Sequence, residues 1–315
     1  MAKRVQISII VPAYNEEENI KLLYKKIKKV FVSYRYNYEV IVVDDGSEDD
    51  TLRILKEIKR NNKELRVISF RRNFGQTAAF AAGFDYAKGD FILTLDADLQ
   101  NDTRDIPKLL ERLKEGYDVV SGWRKIRKDN FWTKVLPSKI ANWLISRISG
   151  VNLHDYGCSL KAYRKEILRD IKLYGEMHRF IPAIAASVGA RIAEIEVSHH
   201  ERKHGSSKYG LDRTMKVILD LLVVKFILSY QFRPIQLFGK IGFMITSLGS
   251  SIFVVLVLER FFGHQPLSSK PLFMISIFLI LVGIQFVTIG LLAEIMVRIY
   301  YEARNRPPYY IKEII

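Results

Sequence analysis

Cysteine is almost missing from this sequence: Cys158 stands alone among 315 residues. One thiol cannot close a disulfide within the chain, so no disulfide framework is possible, and nothing argues for an oxidising compartment. Acidic residues are also short. The chain has 34 Asp and Glu against 49 Lys and Arg, a net charge of +15. That excess suits an anionic partner such as nucleic acid, acidic lipid headgroups or a phosphorylated substrate. No internal repeat and no low-complexity tract is visible. The opening MAKRVQISIIVPAYNEE holds an apolar run of only five residues, 7–11, before Pro12. This is too short for a signal peptide and reads as a first strand.

Charge is absent from two stretches, 241–258 and 271–293. A bilayer core takes about 20 apolar residues per helix. Both runs therefore read as transmembrane helices, about 241–262 and 271–295, in a hairpin domain spanning 236–298. The alternative is a hairpin buried in a soluble protein, but charge-free runs of this length are rare there. Lys240, Arg298, Arg304 and Arg306 flank the domain side, and Arg260 and Lys270 lie in the connection. The bias is modest and agrees with positive-inside orientation. The domain at 1–210 is large and basic and shows no export signal, so it and the tail at 299–315 are expected in the cytoplasm, with an integral membrane anchor. Segment 211–235 carries Arg213, Lys216 and Asp220 on one face, and Lys225, Ser229 and Arg233 at spacing four. It reads either as helices lying in the membrane interface or as a core helix with a solvated face.

What is present in the first 125 residues is a regular alternation of strand and helix patterns. Strands are expected at 7–11, 39–45, 65–70, 90–98 and 118–124, and helices at 16–31, 47–60 and 76–89. Helix 16–31 has Ile20, Leu23, Ile27 and Val30 at helical spacing, acids early and lysines late. Continuous apolar strands alternating with helices imply an α/β domain whose parallel sheet is covered on both faces. Ligands of such sheets bind beyond the carboxyl ends of the strands. Those ends here read PAYNE, DDGS, RRNFG and DADLQ.

In DADLQ, Asp96 and Asp98 are two apart, which in a strand puts both carboxylates on one face. Like charges that close need a cation, either a structural arginine or lysine or a metal. Asp-x-Asp at a strand end suits Mg2+ or Mn2+, which bind through one or two carboxylates plus substrate phosphates, and Gln100 offers a further oxygen. Asp44 and Asp45 end the second strand. Asp45 is assigned to a base or ribose hydroxyl, and Ser47 to capping the following helix. His199, His200 and His204 could suggest a metal cluster, but Glu201, Arg202 and Lys203 between them read as a basic loop.

The segments PAYNEEENI, VVDDGSEDDT, RNFGQTAAFAAG and LDADLQ, in this order, resemble glycosyltransferase family 2 with its GT-A fold. DYGCSLKAYR (155–164), FIPAIA (180–185), HHERKHGSSKY (199–209) and the apolar hairpin narrow the likeness to the polyprenyl-phosphate glycosyltransferases. The resemblance covers almost the whole chain and implies roles. Pro12, Tyr14, Glu16, Val43, Asp45, Asn73, Gly75, Asp96 and Ala97 would bind the nucleotide-sugar. Asp96, Asp98 and Gln100 would hold the metal and diphosphate. Arg124, Lys134, Ser138, Arg202 and Lys208 would bind the acceptor phosphate. Lys134 stands where the mannose synthases have arginine, a point charge in place of a bidentate fork. Gly205, Ser206 and Ser207 would let the basic loop close. Asp155, Arg202 and Asp98 are the residues expected at the chemistry. Asp155 is expected to orient the donor sugar or a basic residue, because a phosphate monoester is already largely ionised near neutral pH.

The implied activity is inverting transfer of a sugar, with glucose from UDP-glucose the first expectation, to polyprenyl phosphate of undecaprenyl type. A 4-deoxy-4-formamido-arabinose or mannose donor is the alternative. The expected partners are the two substrates and membrane lipids, with a homo-oligomer, a tetramer for example, and a flippase also considered; nucleic acid is not expected. A processive polysaccharide synthase would carry Gln-x-x-Arg-Trp, and no glutamine here is followed by it. A non-catalytic scaffold for a flippase is the rival of another class, and intact Asp96, Asp98 and Arg202 argue against it.

Overall fold

The computed structural model describes residues 4–34, 36–125, 136–169, 171, 173, 177–200, 234–263, 271–303 and 309–315. Lys134, Arg202, His204, residues 205–207, Lys208 and residues 211–233, expected to lie in the membrane interface, are outside the described residues, as is the side chain of Ser138. The chain forms two units, Met1–Val224 with Pro307–Ile315, and Lys225–Arg306.

The first unit is built on one eight-stranded sheet in the order β7-β5-β6-β4-β1-β2-β3-β8. Its strands are β1 (Ile7–Ala13), β2 (Tyr38–Asp44), β3 (Leu65–Phe70), β4 (Phe91–Thr94), β5 (Val119–Trp123), β6 (Lys161–Arg164), β7 (Ile192–Glu196) and β8 (Ile311–Ile314). The β-branched run of β1 is buried from end to end, as a central parallel strand covered on both faces requires. Helix α1 (Ile20–Tyr34) buries Ile20, Leu23, Ile27 and Val30, the expected stripe, against Ile9, Val11, Val40 and Val42. Each such side chain contributes roughly 1.5–3 kcal/mol by leaving water. Helices α2 (Thr51–Arg60), α3 (Gln76–Tyr86), α4 (Ile106–Lys114), α5 (Leu136–Ser149), α6 (Lys165–Arg169) and α7 (Ile181–Ser187) complete the unit.

The alternation at 7–94 folds as expected, into parallel β4-β1-β2-β3. Register brings Pro12 level with Val43 and Ala13 level with Asp44, so the carboxyl ends of β1 and β2 finish together. Three strands lie outside the expected set. Strand β6 enters between β4 and β5 and runs against both. Strand β7 pairs in parallel with β5. Strand β8 closes the far edge, antiparallel to β3, from within the stretch set apart as a tail. The sheet is therefore mixed about a parallel centre, in keeping with the mostly parallel, Rossmann-like sheet that the GT-A resemblance implies. Strand β4 ends at Thr94, short of the expected 98, and Asp96 and Asp98 lie in the turn that follows. Strand geometry does not place the two acids; the turn does.

One turn demands its glycine. Gly46, at φ +70°, follows Asp45, and a Cβ there would lie 2.7 Å from the Asn73 nitrogen and closer still to the Arg72 carbonyl carbon. Gly46→Ala is expected to destabilise the domain by about 2–4 kcal/mol, from left-handed strain plus overpacking. A clearly lowered Tm of the purified chain checks this; an unchanged Tm would contradict it.

The second unit holds α8 (Pro234–Gly263) and α9 (Pro271–Ala303). Leu237–Phe261 and Pro271–Ala293 are long and apolar enough to cross a membrane. Phe243 is 71% exposed and Phe278 65%, which is not how helices sit in a soluble core. The two helices meet closely through small residues: a Cβ on Gly242 would lie 2.8 Å from Val287 Cγ2. Small residues let apolar helices approach backbone to backbone where lipid removes the hydrophobic drive between them.

Candidate active site

The polar ends of β1 and β2 lace into one surface. Asn15, at φ 54°, follows β1. Its N–H donates to Ser47 Oγ at 3.0 Å, and its Oδ1 accepts from Glu48 N at 2.9 Å. Glu16 N donates to Thr51 Oγ1 at 2.8 Å, and Glu16 Oε2 accepts from Asn19 at 2.8 Å. Tyr14 is half-buried, and Pro12 and Val43, level with each other in the sheet, are buried. Ser47 does not cap α2, which starts at Thr51; its hydroxyl is spent on Asn15. Asp44 holds Ser47 N and the Ser69 hydroxyl instead.

Asp45 is 4% exposed, and both its oxygens are engaged, by Phe74 N at 2.7 Å and Gly75 N at 2.9 Å. Burial pushes its carboxyl up to about 6; the two N–H groups pull it back, and Asp44 pushes it further up. Asp45 is thus both the acid at the end of β2 and the anchor of segment 71–75. Asn73 lies exposed in that segment, and Gly75, at φ 93°, opens α3.

The first residue of α3 then reaches the acidic turn. Gln76 Nε2 donates to Asp96 Oδ1 at 2.6 Å. Asp96 is pushed up to about 6, first by burial and then by the charge of Asp98. A hydrogen bond from Ser159 and the charges of Arg124 and Lys161 oppose that rise. Part of the cation that the acidic pair needs is therefore built into the fold. Lys161 is buried at 4% exposure, and its ammonium donates to the carbonyls of Tyr156, at 3.0 Å, and Cys158. Burial lowers its pKa. In the turn, Asp98 Oδ1 accepts from Gln100 N at 3.1 Å, Leu99 takes φ 62°, and Ala97 is buried.

Arg124, at the end of β5, forks onto Asp155: Nε to Oδ2 at 2.6 Å and Nη2 to Oδ1 at 3.0 Å, with side chains 14% and 4% exposed. Gly157 N also donates to Asp155. The entry to the basic loop is tied to the acidic turn, by an isolated bridge from Asn101 to His199 and by His200 N donating to the Gln100 carbonyl. His200 Nε2 lies 3.1 Å from Asp102, which also pairs with Arg104.

Among the described residues no group of three His, Cys, Asp or Glu side chains could hold a metal by itself. Asp96 and Asp98 fit a hard divalent cation only as two carboxylates completed by substrate phosphate oxygens, the usual arrangement for Mg2+. Sequence reasoning missed Gln76, Ser159 and Lys161. Gln76 follows directly on RRNFG, and Ser159 and Lys161 lie within DYGCSLKAYR, so the quoted segments pointed to all three without assigning them a role.

The family model of Glycosyl transferase family 2 matches residues 8–172. The chain belongs to this family. A dodecaprenyl-phosphate galacturonate synthase of Rhizobium johnstonii is 45% identical over 98% of this chain and 93% of its own. An undecaprenyl-phosphate 4-deoxy-4-formamido-L-arabinose transferase of Edwardsiella ictaluri is 38% identical over 98% and 94%. Among solved structures, glucosyl-3-phosphoglycerate synthase of Mycobacterium tuberculosis with UDP shares the fold at TM-score 0.54 and 22% identity, covering 71% of this chain and 81% of that one. The mixed sheet is thus the GT-A-like sheet of a family 2 glycosyltransferase, with two apolar helices added.

Proposed function

We propose that this glycosyltransferase moves a sugar from a nucleoside-diphosphate donor to the phosphate of a polyprenol at a membrane surface. The observation that carries the reading is one chain holding both the acidic edge Asp45–Asp96–Asp98 and a two-helix apolar hairpin. The near full-length likeness to two polyprenyl-phosphate enzymes supports it. Galacturonate is the preferred donor sugar, on the 45% identity. Formamido-arabinose is the second reading, on the 38% relative. The glucose first expected from sequence has no comparable support.

In this reading Asp45 accepts from the base, and Pro12, Tyr14, Glu16 and Val43 form the floor around it. Asp96 and Asp98, with Gln100 beside them, would hold Mg2+ or Mn2+, which neutralises charge on the departing diphosphate. Gln76 and Ser159 fix Asp96 before substrate arrives. An oxygen of the acceptor phosphate forms the new bond to the anomeric carbon as the bond to the diphosphate oxygen breaks, and the nucleoside diphosphate leaves. The acceptor is already ionised, so no general base is required. The rate rests on alignment and charge stabilisation. Asp155 holds Arg124 rigid, so that the guanidinium attracts the acceptor phosphate without wandering. Lys134, Ser138, Arg202 and Lys208 would complete the phosphate site. Both hairpin ends join the catalytic unit, which suits a cytoplasmic domain on one face of the membrane.

The test is a donor screen. Purified chain, polyprenyl phosphate, Mg2+ or Mn2+ and labelled nucleotide-linked galacturonate, formamido-arabinose, glucose or mannose are combined, and labelled lipid is separated chromatographically. A lipid product from galacturonate is expected. A product from glucose alone would overturn the donor choice, and no product from any donor would overturn the enzyme reading.

The pH dependence has a definite sign. Below about 6 Asp45 is protonated and accepts less well from a base N–H; above it the carboxylate is the stronger acceptor. Uridine, which has no phosphate to titrate, is expected to bind more weakly at pH 5 than at pH 7.5, and Asp45→Asn should flatten that slope. Calorimetry reads both, and a wild-type affinity independent of pH would contradict the assignment.

A further inference from the structure

Residues 309–315 return to the catalytic sheet beside segment 71–75, a part of the donor edge that regular structure does not hold. Segment 71–75 runs from the end of β3 to the start of α3 and belongs to neither. Yet its Phe74 and Gly75 amides fix Asp45, and the residue after it fixes Asp96.

The returning segment grips this loop from three sides. Its strand pairs with β3 at Ile68↔Ile314 and Ser69↔Glu313, and the register slips between Ser69 and Phe70, where the loop begins. The Tyr310 carbonyl then accepts from Arg71 N at 3.1 Å, at the first residue of the loop. Tyr309, 5% exposed, stacks on Phe70 with ring centres 5.2 Å apart, and its hydroxyl donates to Asp85 of α3 at 2.7 Å. It therefore ties β3 to the helix that carries Gln76. Phe74 stands edge-on to Phe70 at 5.7 Å and tilted against Tyr310 at 6.0 Å, with Arg72 over its ring at 4.3 Å. Glu313 pairs with Lys56 of α2 at 2.6 Å, so the grip has its own anchor away from the loop. Without residues 309–315, β3 would be an open edge and Phe74 would lose one of its aromatic walls.

We infer that Tyr309 and Tyr310 are positioning residues for donor binding: they hold segment 71–75 so that its amides set Asp45 and its following glutamine sets Asp96. The inference rests on the donor nucleotide lying at Asp45. The coupling runs through packed aromatic rings and two hydrogen bonds, contacts of the kind that shift affinity at a neighbouring site.

The experiment measures UDP affinity by calorimetry, and donor and acceptor KM separately, on the full chain in detergent. Tyr310→Ala, at an exposed position, is expected to weaken UDP binding and raise donor KM about tenfold, with the acceptor KM unchanged. Tyr310→Phe, which keeps the ring against Phe74, should restore both. Tyr309→Ala should act in the same direction and more strongly; if it fails to fold, Tyr310→Ala decides alone. UDP affinity within twofold of the unaltered chain in the folded Tyr310→Ala variant would overturn the inference, as would an equal loss of donor and acceptor binding. Asp45→Asn separates the two claims. If it weakens UDP binding while Tyr310→Ala does not, the coupling is wrong and the donor site stands. If Asp45→Asn leaves UDP binding untouched, the placement of the nucleotide fails and the inference falls with it.

Discussion

Asp98→Ala is expected to lower turnover by about a thousandfold, the scale of losing a main source of charge stabilisation on a leaving group. Asp98 is 6% exposed and sits one residue beyond Asp96 and Ala97 in the turn after β4. Its Oδ1 accepts from Gln100 N at 3.1 Å, a bond worth about 1 kcal/mol net. Alanine removes a carboxylate from the acidic pair, and the unfolding midpoint separates any loss of fold from a loss of chemistry. The substitution also removes the charge that pushes Asp96 up, so Asp96 should ionise more readily in the variant. Turnover is read from labelled lipid, and integrity from the thermal unfolding midpoint. Near-normal turnover in a folded Asp98→Ala chain would show that this acid holds no metal.

Asp155→Ala is expected to destabilise the catalytic unit by about 3–5 kcal/mol, the penalty for leaving one member of a buried pair uncompensated. The guanidinium of Arg124 is only 14% exposed and uses two of its donors on this carboxylate. Replacing both, as in Arg124→Met with Asp155→Leu, should recover most of that stability, because a buried ion pair repays its desolvation poorly. Turnover should stay lost in the double variant if Arg124 attracts the acceptor phosphate. A double-mutant cycle on unfolding midpoints measures the coupling. Additive effects of the two single substitutions would show that the pair carries no stability of its own.

The four parallel strands at the centre were legible because their apolar runs are continuous and separated by clean helical periods. Their polar ends were legible too, since residues such as Asp45 and Asp96 have no place in a core unless something binds them. Strands β6 and β8 were not. KAYR and IKEI are four residues each, and pairing with β4, β5 and β3 decides their state more than local propensity does. The expectation that strand alternation would align Asp96 and Asp98 failed because the strand stops at Thr94, where its pairing with β1 ends at Ile10. Both acids lie in the turn that follows, where Leu99 takes the left-handed region. The offsetting cations were half visible. Arg124 stood out at the end of its strand, but its partner Asp155 is 31 residues away in sequence. Lys161 reads as an ordinary lysine until burial and its two carbonyl acceptors are seen. Gln76 meets Asp96 across 20 residues, a distance that no local pattern reports.

The proposed chemistry requires a lipid phosphate as the acceptor. The most direct measurement offers the purified chain a labelled donor found active in the screen, with a divalent metal, and either polyprenyl phosphate or the same polyprenol without its phosphate. Label is expected in lipid only with the phosphorylated acceptor, and Asp98→Ala should remove it. Equal labelling of the free alcohol, or no labelled lipid from either, would contradict the central claim.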